Sequence, residues 1–548
     1  MSGLFNTVVA KIPRRNAFGR SYESHLTTDF GKITPCLCEE VYPADDFRIR
    51  TEAVIKLAEM LAPAMARIDA YIHYFFVPNR LLYADWENFI TGGKDGMSPN
   101  GTQLAPVIPS ADINDLVNGG YCDQGKLGDY FNLPSLAHNS AQVYAGIPPI
   151  SLMPFLAYQK IYSDWYKDEL LSSVADFEPH AGGFDSTNLA SICALRYRAW
   201  KKDYFTSARP DTQLGPQFEI PLTGSLSANG PFRLGQSTSN SSDSSLVRAG
   251  VTEEDLGSSV NPRYAATIKS ALGYAQRYVD GISLDEAGIL VNSLRYSLKG
   301  QEWAEKNMRG GNRYIENIFH HFGVRSSDAR LQRSQYLGGR KIPIMIGEVL
   351  QQTDTVGDAQ YSSGARYLGS RGGVGNAAGS TQSIHFYSEE HGFIIGLLSI
   401  MPHASYMQGI PRMFADRWDR FSYMWPEFGN LGEQEIYNWE LYVAAGSSNH
   451  HNDEVFGYQS RYADLKQNPS QIHGEFRSSL AYWHTARIFS TRPSLNDNFV
   501  KFPNDATAGG VNRIFAVPSN DLAAHFRCHL LNKISVLRML PKYGIPSL

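Results

Sequence analysis

Residues 69–79 read DAYIHYFFVPN, an unbroken run of aromatic and β-branched side chains. Such a run predicts a strand that is buried on both faces, because a half-exposed strand would alternate with polar residues. Further strands are predicted at 341–353, 382–402 and 525–540, with long loops between them. Strands spread along the whole chain, with helices only in the intervals, favour one β-sandwich or jelly roll that carries insertions.

Helices are predicted between these strands. The segment 52–61 places Val54, Ala58 and Leu61 at helical spacing behind Thr51, a residue type that caps helices. Three further helical segments are predicted, one starting near Pro154, one behind a capping box at 283–286 and one over 314–322.

Composition limits the possible functions. The chain has 548 residues, 43% of them hydrophobic, and can therefore bury a large core. A formal net charge of −4 excludes a protein coated in basic residues, so any nucleic-acid contact must use a local patch. Five cysteines without a C-x-x-C pair indicate buried thiols rather than a disulfide framework. No apolar run suits a secretory signal or a membrane span, so we expect a soluble protein made in the cytoplasm.

Motifs for cofactors and metals are weak. Residues 372–379, GGVGNAAG, contain the spacing G-x-G-x-x-A, which cradles a pyrophosphate between a strand and a helix. Loop-like sequence precedes this motif and a predicted strand follows it, so we interpret it as a flexible glycine loop. His525, Cys528 and His529 would share a face only on a helix, and a strand is predicted there. We therefore predict no cofactor, no metal site and no catalytic residues.

The stretch RYRAWKKDYFTSAR at 196–209 interleaves cations with aromatic rings. Cations that neutralise phosphates, beside rings that stack on bases, are typical of sequence-independent contacts with single-stranded nucleic acid. A solvated charged face is the alternative for this stretch. A basic N-terminal arm at residues 1–30, expected to be mobile, adds further cations. The predicted DNA-binding residues are Arg14, Arg15, Arg196, Arg198, Lys201 and Lys202.

Residues 416–442, DRWDRFSYMWPEFGNLGEQEIYNWELY, combine carboxylates with aromatic rings. Two such acids can form the catalytic pair of a glycosidase, and the tryptophans can serve as sugar platforms. No spacing singles out an acid and a nucleophile, however, and aromatic anchors in a loop are also typical of protein interfaces. We favour a subunit interface, with a carbohydrate-binding or carbohydrate-active jelly-roll protein as the alternative. The predicted interface residues are Trp418, Phe421, Tyr423, Trp425 and Phe428.

Several long strings resemble the major capsid proteins of the Microviridae, small icosahedral bacteriophages with circular single-stranded DNA, and in particular the gokushovirus-like branch. They include LAPAMARIDAYIHYFFVPNRLLYADWENFITGG at 61–93, KKDYFTSARP at 201–210, RFSYMWPEFGNLGEQE at 420–435 and the terminal PKYGIPSL. The resemblance extends over nearly the whole chain. It implies a mainly β fold, an eight-stranded antiparallel jelly roll of the viral capsid β-barrel type, with long loop and helix-containing insertions.

The resemblance also implies a structural protein that assembles as sixty copies into a T=1 icosahedral shell. Residues 31–548 are then one jelly-roll domain, and the polar segment 211–282 is a surface insertion that protrudes at the threefold axes and contributes to host attachment. The implied partners are other copies of the chain, the single-stranded DNA genome on the inner face, minor capsid or pilot proteins, scaffolding proteins and a bacterial host receptor, with no membrane. The implied location is the virion, assembled in the cytoplasm of the host bacterium.

Overall fold

The computed structural model describes residues 15–91, 107–134, 144, 146–213, 291–310, 332–350, 371–445, 451–502, 510–517 and 524–543. The chain divides into two compact units, one formed by Met1–Thr212 with Ser327–Leu548 and the other by Gln213–Ser326. The strands and the sheet described below belong to the first unit.

The described chain is mainly β, as predicted. Its strands are β1 Asn16–Gly19, β2 Tyr22–Thr28, β3 Thr34–Val41, β4 Asp46–Leu57, β5 Ile68–Pro78, β6 Ser110–Ala111, β7 Ile150–Ser151, β8 Gln335–Leu350, β9 Arg371–Ser380, β10 Ile384–Tyr387, β11 Gly392–Pro402, β12 Glu433–Tyr437, β13 Val455–Ser460 and β14 Phe526–Arg538. Its helices are α1 Trp86–Thr91, α2 Ile113–Asn118, α3 Leu127–Tyr130, α4 Met153–Ile161, α5 Leu189–Ile192, α6 Val291–Gly310, α7 Arg412–Ala415, α8 Asn438–Leu441, α9 Ala463–Lys466 and α10 Asp497–Val500. Among the described residues, no helix is both long and apolar enough to cross a membrane.

One curled antiparallel sheet organises the first unit. Its strand order is β1-β14-β4-β9-β8-β5-β11-β3, and β10 and β2 pair additionally with β4 and β14. Strand β8 changes partner along its length, because 335–344 pairs with β5 whereas 345–350 pairs with β9. It thereby joins two layers. We call β3, β11, β5 and the first part of β8 the covered layer, and β9, β4, β14, β10, β1 and β2 the open layer.

The run at 69–79 lies in β5, and burial on both faces is confirmed. Ile72 and Tyr74 face the core between the two layers. Phe75 and Val77 face the opposite side, where they pack in a second core with helix α4. The alternation is hidden in the sequence because both faces require apolar residues.

The outer side of the covered layer is buried by inserted elements. Helix α4 begins at Met153 with Pro154 in its first turn, which confirms the helix predicted there. Its Phe155, Leu156 and Tyr158 are buried against Leu397 of β11 and its neighbours. The helices predicted at 283–286 and 314–322 lie outside the described residues.

The helix predicted over 52–61 is wrong, because this segment belongs largely to strand β4. Ile49, Ala53 and Ile55 are buried, whereas Val54 is exposed, a period of two. The strand lies between β14 on one side and β9 with β10 on the other. Pairing with these distant strands overrides the local helical spacing.

The glycine loop predicted at 372–379 is also wrong, since these residues form strand β9. The inward positions of β9 carry only small residues, because other segments of the same chain pack directly against them. A Cβ atom at Gly373 would lie 2.5 Å from the carbonyl oxygen of Ala62, and one at Gly375 would lie 2.6 Å from Leu57 Cδ2. The glycines therefore permit close packing of the strand rather than flexibility.

The mobile arm predicted for residues 1–30 is wrong for the part that the structure describes. Strands β1 and β2 pair with β14, with Asn16 opposite Arg538 and His25 opposite His529. Residues 16–28 are therefore part of the open layer. Residues 1–14, including Arg14, lie outside the described residues.

A buried polar network connects the two layers through the core. The Thr51 hydroxyl of β4 donates to Asn532 Oδ1 of β14 at 2.7 Å and accepts a hydrogen bond from Tyr74 of β5. Asn532 Nδ2 donates to the carbonyl oxygen of Cys36 in β3 at 3.0 Å. Thr51, Tyr74 and Asn532 have no measurable exposure. Paired polar groups in a dry core fix which residues face each other, because an unpaired partner is costly.

We predict that Asn532→Leu lowers the free energy of unfolding by about 1–3 kcal/mol, because the Thr51 hydroxyl loses its buried acceptor and the Cys36 carbonyl loses the donor at Asn532 Nδ2. Urea denaturation of the unassembled chain measures the change. The matched control is Asn376→Leu on the exposed side of β9, which we expect to stay within about 0.5 kcal/mol of the parent. Equal stability of the two variants would contradict a role for the network.

Candidate subunit and nucleic-acid interfaces

Arg412 of helix α7 organises the segment 416–442. Its buried guanidinium donates from Nε to Asp416 at 2.7 Å, and from Nη1 to the Glu435 carbonyl at 2.6 Å and to the Glu440 carboxylate at 3.3 Å. One side chain thus ties the start of the segment to β12 and α8. Arg417 adds a second tie, donating to the carbonyl of Ser422 at 2.7 Å and to the Asp464 carboxylate at 2.5 Å.

The buried acids of this segment are structural. Glu440 accepts hydrogen bonds from the Tyr204 hydroxyl at 2.8 Å and from the Tyr437 amide at 3.0 Å. Burial raises the pKa of Glu440, although the positive charge of Arg412 acts in the opposite direction. The Glu433 carboxylate pairs with Arg209 at 3.1 Å. These acids hold the loop in place, and their arrangement does not single out the acid and nucleophile of a glycosidase.

Four aromatic rings of the same segment are exposed, and the other four, including Phe428, are half-buried. We call Trp418, Phe421, Tyr423, Trp425 and Phe428 the aromatic cap. Trp418 is 86% exposed, and Phe421, Tyr423 and Trp425 are exposed by about half. The indole N–H of Trp418 donates to the Ala415 carbonyl at the end of α7 at 2.7 Å, and that of Trp425 donates to the Arg420 carbonyl at 2.8 Å. The exposed ring faces are therefore available for apolar contact, and Met413, Phe414, Met424 and Leu431 extend this surface.

A cavity of about 430 Å³ lies beside the aromatic cap. Its lining includes Phe421 and several charged side chains, among them Arg412, Arg417 and Asp416. These three are paired with one another or with neighbouring loop groups. Among the described residues, no group of three or more His, Cys, Asp or Glu side chains could hold a metal ion.

The predicted cations at 196–202 are mostly engaged within the fold. Arg196 Nε donates to Gln159 at 2.7 Å. The Arg198 guanidinium stacks 4.3 Å from the ring centre of Tyr71 and donates to Ser399 at 2.9 Å. The same holds for Lys202, whose ammonium pairs with Asp168 at 2.6 Å. Lys201, in contrast, is exposed, and its ammonium contacts no partner among the described residues.

Three of the four rings in this stretch are buried and unavailable for base stacking, whereas Tyr197 is half-buried, which corrects the sequence interpretation. Trp200 is 2% exposed, Phe205 is 3% exposed and Tyr204 is 5% exposed. Trp200 packs in the core between the layers, and the other two belong to a third core beneath the 416–442 segment. Sequence spacing does not distinguish these rings from surface rings, because the stretch runs as a loop with irregular side-chain directions.

Arg15 lies on the open layer, away from the 196–202 stretch. Its guanidinium sits 5.2 Å from the ring centre of Tyr387 on β10 and donates to the Tyr387 hydroxyl at 3.2 Å. Exposed Arg48 and Lys56 of β4 lie on the same layer. The sequence patterns did not reveal this group, because part of β4 was predicted to be a helix. The alternation in RIRTEAVIK at 48–56 is the signal that would have identified it.

Comparison with known proteins gives full-length matches. The family described as "Capsid protein (F protein)" matches residues 6–548. Capsid protein VP1 of Chlamydia phage 1 is 31% identical, with 100% of this chain and 98% of the relative covered. Capsid protein VP1 of Bdellovibrio phage phiMH2K is 32% identical over 89% of this chain and 88% of the relative. Capsid protein VP1 of Spiroplasma virus 4 is 27% identical over 94% and 92%.

We predict that Arg198→Gln destabilises the chain by about 1–2 kcal/mol, because it removes the stacking on Tyr71 and the hydrogen bond to Ser399. Lys201→Gln, three residues away and exposed, is the matched control and should leave stability unchanged. Thermal unfolding of both variants provides the measurement. If the two variants melted at the same temperature, Arg198 would be a surface cation and not part of the packing.

Proposed function

Because this chain belongs to the capsid F protein family of the Microviridae, we propose that it assembles as sixty copies into a T=1 icosahedral shell around a single-stranded DNA genome. It is a capsid protein of the virion and not an enzyme. The sixty-copy shell and the enclosed genome are the proposed steps. The aromatic cap is the observation that carries the assembly step.

The aromatic cap supports assembly because its exposure is costly for an isolated chain. Soluble monomers rarely expose large contiguous apolar surfaces, and aromatic side chains dominate the energetics of protein interfaces. The cap is held by Arg412 and Arg417, so the rings are presented on a fixed frame. Prior order lowers the entropic cost of association. We propose that a second copy of this chain covers the cap, by a contact between two different surfaces, as ring-forming symmetries require.

The proposed contacts with the genome use cations on two surfaces. Lys201 is exposed on one, with Arg196, Arg198 and Lys202 around it. Arg15 lies on the other, and Arg14 precedes it in the chain outside the described residues. Phosphate contacts of this kind carry no sequence preference. Arg196, Arg198 and Lys202 are engaged within the fold and stabilise the surface, so we assign most of the phosphate binding by the 196–202 stretch to Lys201.

The insertion at 211–282 lies outside the described residues except for 211–213. Its polar, turn-rich composition suits a surface segment. We propose that it contributes to attachment to a receptor on the bacterial host. Minor capsid or pilot proteins and scaffolding proteins are further proposed partners, and host cytoplasm is the proposed place of assembly.

Expression of the chain followed by negative-stain electron microscopy tests the shell, and we predict uniform closed particles. Trp418→Ala and Trp425→Ala should each weaken assembly, since loss of an aromatic anchor costs about 2 kcal/mol, or roughly thirtyfold in affinity, per contact. Phe184→Ala is the matched control, because Phe184 is an exposed ring outside the cap. Particles that formed as readily from both tryptophan variants as from the control would contradict the interface.

Deletion of 222–262 tests the attachment role. We predict that particles still form, because this polar segment cannot supply core, and that their adsorption to host cells falls. Adsorption is measured as the fraction of particles that sediment with the cells. The control replaces the segment with a Gly/Ser linker of equal length. Normal adsorption by intact deleted particles would exclude the role.

A further inference from the structure

The outer face of the open layer differs from that of the covered layer. Inserted helices bury the covered layer, whereas the outward positions of β4 and β14 are exposed or half-buried. The exposed positions are largely charged rather than apolar. The cations on this face outnumber the carboxylates: Arg15, Arg48, Arg50, Lys56, Arg527 and Lys533 stand beside Glu23, Asp46, Glu52 and, just beyond β4, Glu59.

Like charges lie directly opposite each other on this face. Arg50 of β4 is opposite Lys533 of β14, and Lys56 is opposite Arg527. Like-charged cross-strand neighbours destabilise a sheet. Glu52 compensates the first pair, lying 3.6 Å from Arg50 and 2.7 Å from Lys533, and in the second pair Arg527 lies 3.5 Å from Glu59. Lys56 is the member of these two pairs that has no carboxylate partner among the described residues, and an external anion would relieve its repulsion with Arg527.

Two of these cations are uncompensated. Arg48 and Lys56 form neither an ion pair nor a side-chain hydrogen bond with any residue that the structure describes. Along β4, Arg48 and Arg50 stand about 7 Å apart, and Lys56 continues this row about 27 Å from Arg48, beyond Glu52 and Val54. The row is bordered by Tyr387, an exposed ring over which Arg15 lies. Cations in a row beside an aromatic ring match the surface that tracks a nucleic-acid backbone.

Residue types argue against a protein partner on this face. The fully buried cores of protein interfaces are apolar and depleted of charged residues. Here the exposed apolar residues, such as Val54 and Leu537, stand singly between charged neighbours. The aromatic cap has the opposite composition. The two exposed surfaces of the first unit are thus chemically distinct.

We propose that the outer face of the open layer is a binding surface for the sugar-phosphate backbone of single-stranded nucleic acid, with Arg48 and Lys56 as its principal phosphate ligands. This inference rests on the proposed function in that the enclosed genome is the ligand. It adds a site that the basic stretch at 196–202 does not include. Binding is without sequence preference, because no base edge need be read.

Fluorescence anisotropy of a labelled oligothymidylate with the unassembled full-length chain tests the site. The variant Arg48→Gln/Lys56→Gln should bind about twentyfold more weakly at 0.1 M salt, and the slope of log K against log salt should fall by about 1.4, for two lost contacts with a single strand. The matched control, Lys126→Gln/Lys466→Gln, removes the same charge from exposed positions elsewhere and should bind like the parent. Arg48→Lys/Lys56→Arg keeps the charge and should also bind like the parent.

Parent-like affinity and slope in the Gln variant would overturn the site. Electron microscopy tests the proposed function separately. Shells formed by the parent chain would support assembly whatever the outcome of the binding measurement. Absence of shells from the parent would instead count against assembly. Circular dichroism checks that the double variant is folded. If the double variant is unfolded, the single variant Lys56→Gln replaces it in the binding measurement, and the slope of log K against log salt should then fall by about 0.7.

Discussion

The hydrogen bonds from Tyr74 to Thr51, from Thr51 to Asn532 and from Asn532 to the Cys36 carbonyl cross the core and link four strands from both layers. Apolar packing alone would let one layer slide against the other at small cost, since hydrophobic contact has no direction. Polar groups in a dry core allow only the register that pairs them. The partner change along β8 and the close packing at the inward glycines of β9 both require this register between the two layers.

The two layers have different surroundings, and this difference determines which face of the sheet is exposed. Insertions around helix α4 bury the outer side of the covered layer, so β5 and β11 carry apolar residues on both faces. The open layer keeps the alternation of a half-exposed sheet. A capsid subunit needs surfaces for its neighbours and for its genome. In our proposal the aromatic cap serves the first, through its exposed apolar rings, and the cations of the open layer serve the second, through their charge.

The 416–442 segment shows how similar residue types serve different purposes. Its buried acids are bound by arginines and stabilise the loop, whereas the exposed tryptophans Trp418 and Trp425 have their indole N–H groups hydrogen-bonded to backbone carbonyls. A catalytic cleft requires carboxylates that are free to exchange protons with a substrate. The fold instead uses its charges to fix an apolar surface. Family membership and this geometry agree on a structural role.

The sequence by itself determined the mainly β class, the double burial of β5, helix α4 and the family. These follow from local apolar patterns and from long strings of residues, which need no knowledge of distant partners. Only the tertiary structure decided that 46–57 and 371–380 are strands, that Trp200 and Phe205 are buried, and that Arg15, Arg48 and Lys56 lie on the same face of the sheet. The physical reason is pairing between distant segments. Asp46 lies opposite Leu537 and Lys56 lies opposite Asn376, and these contacts outweigh local preference.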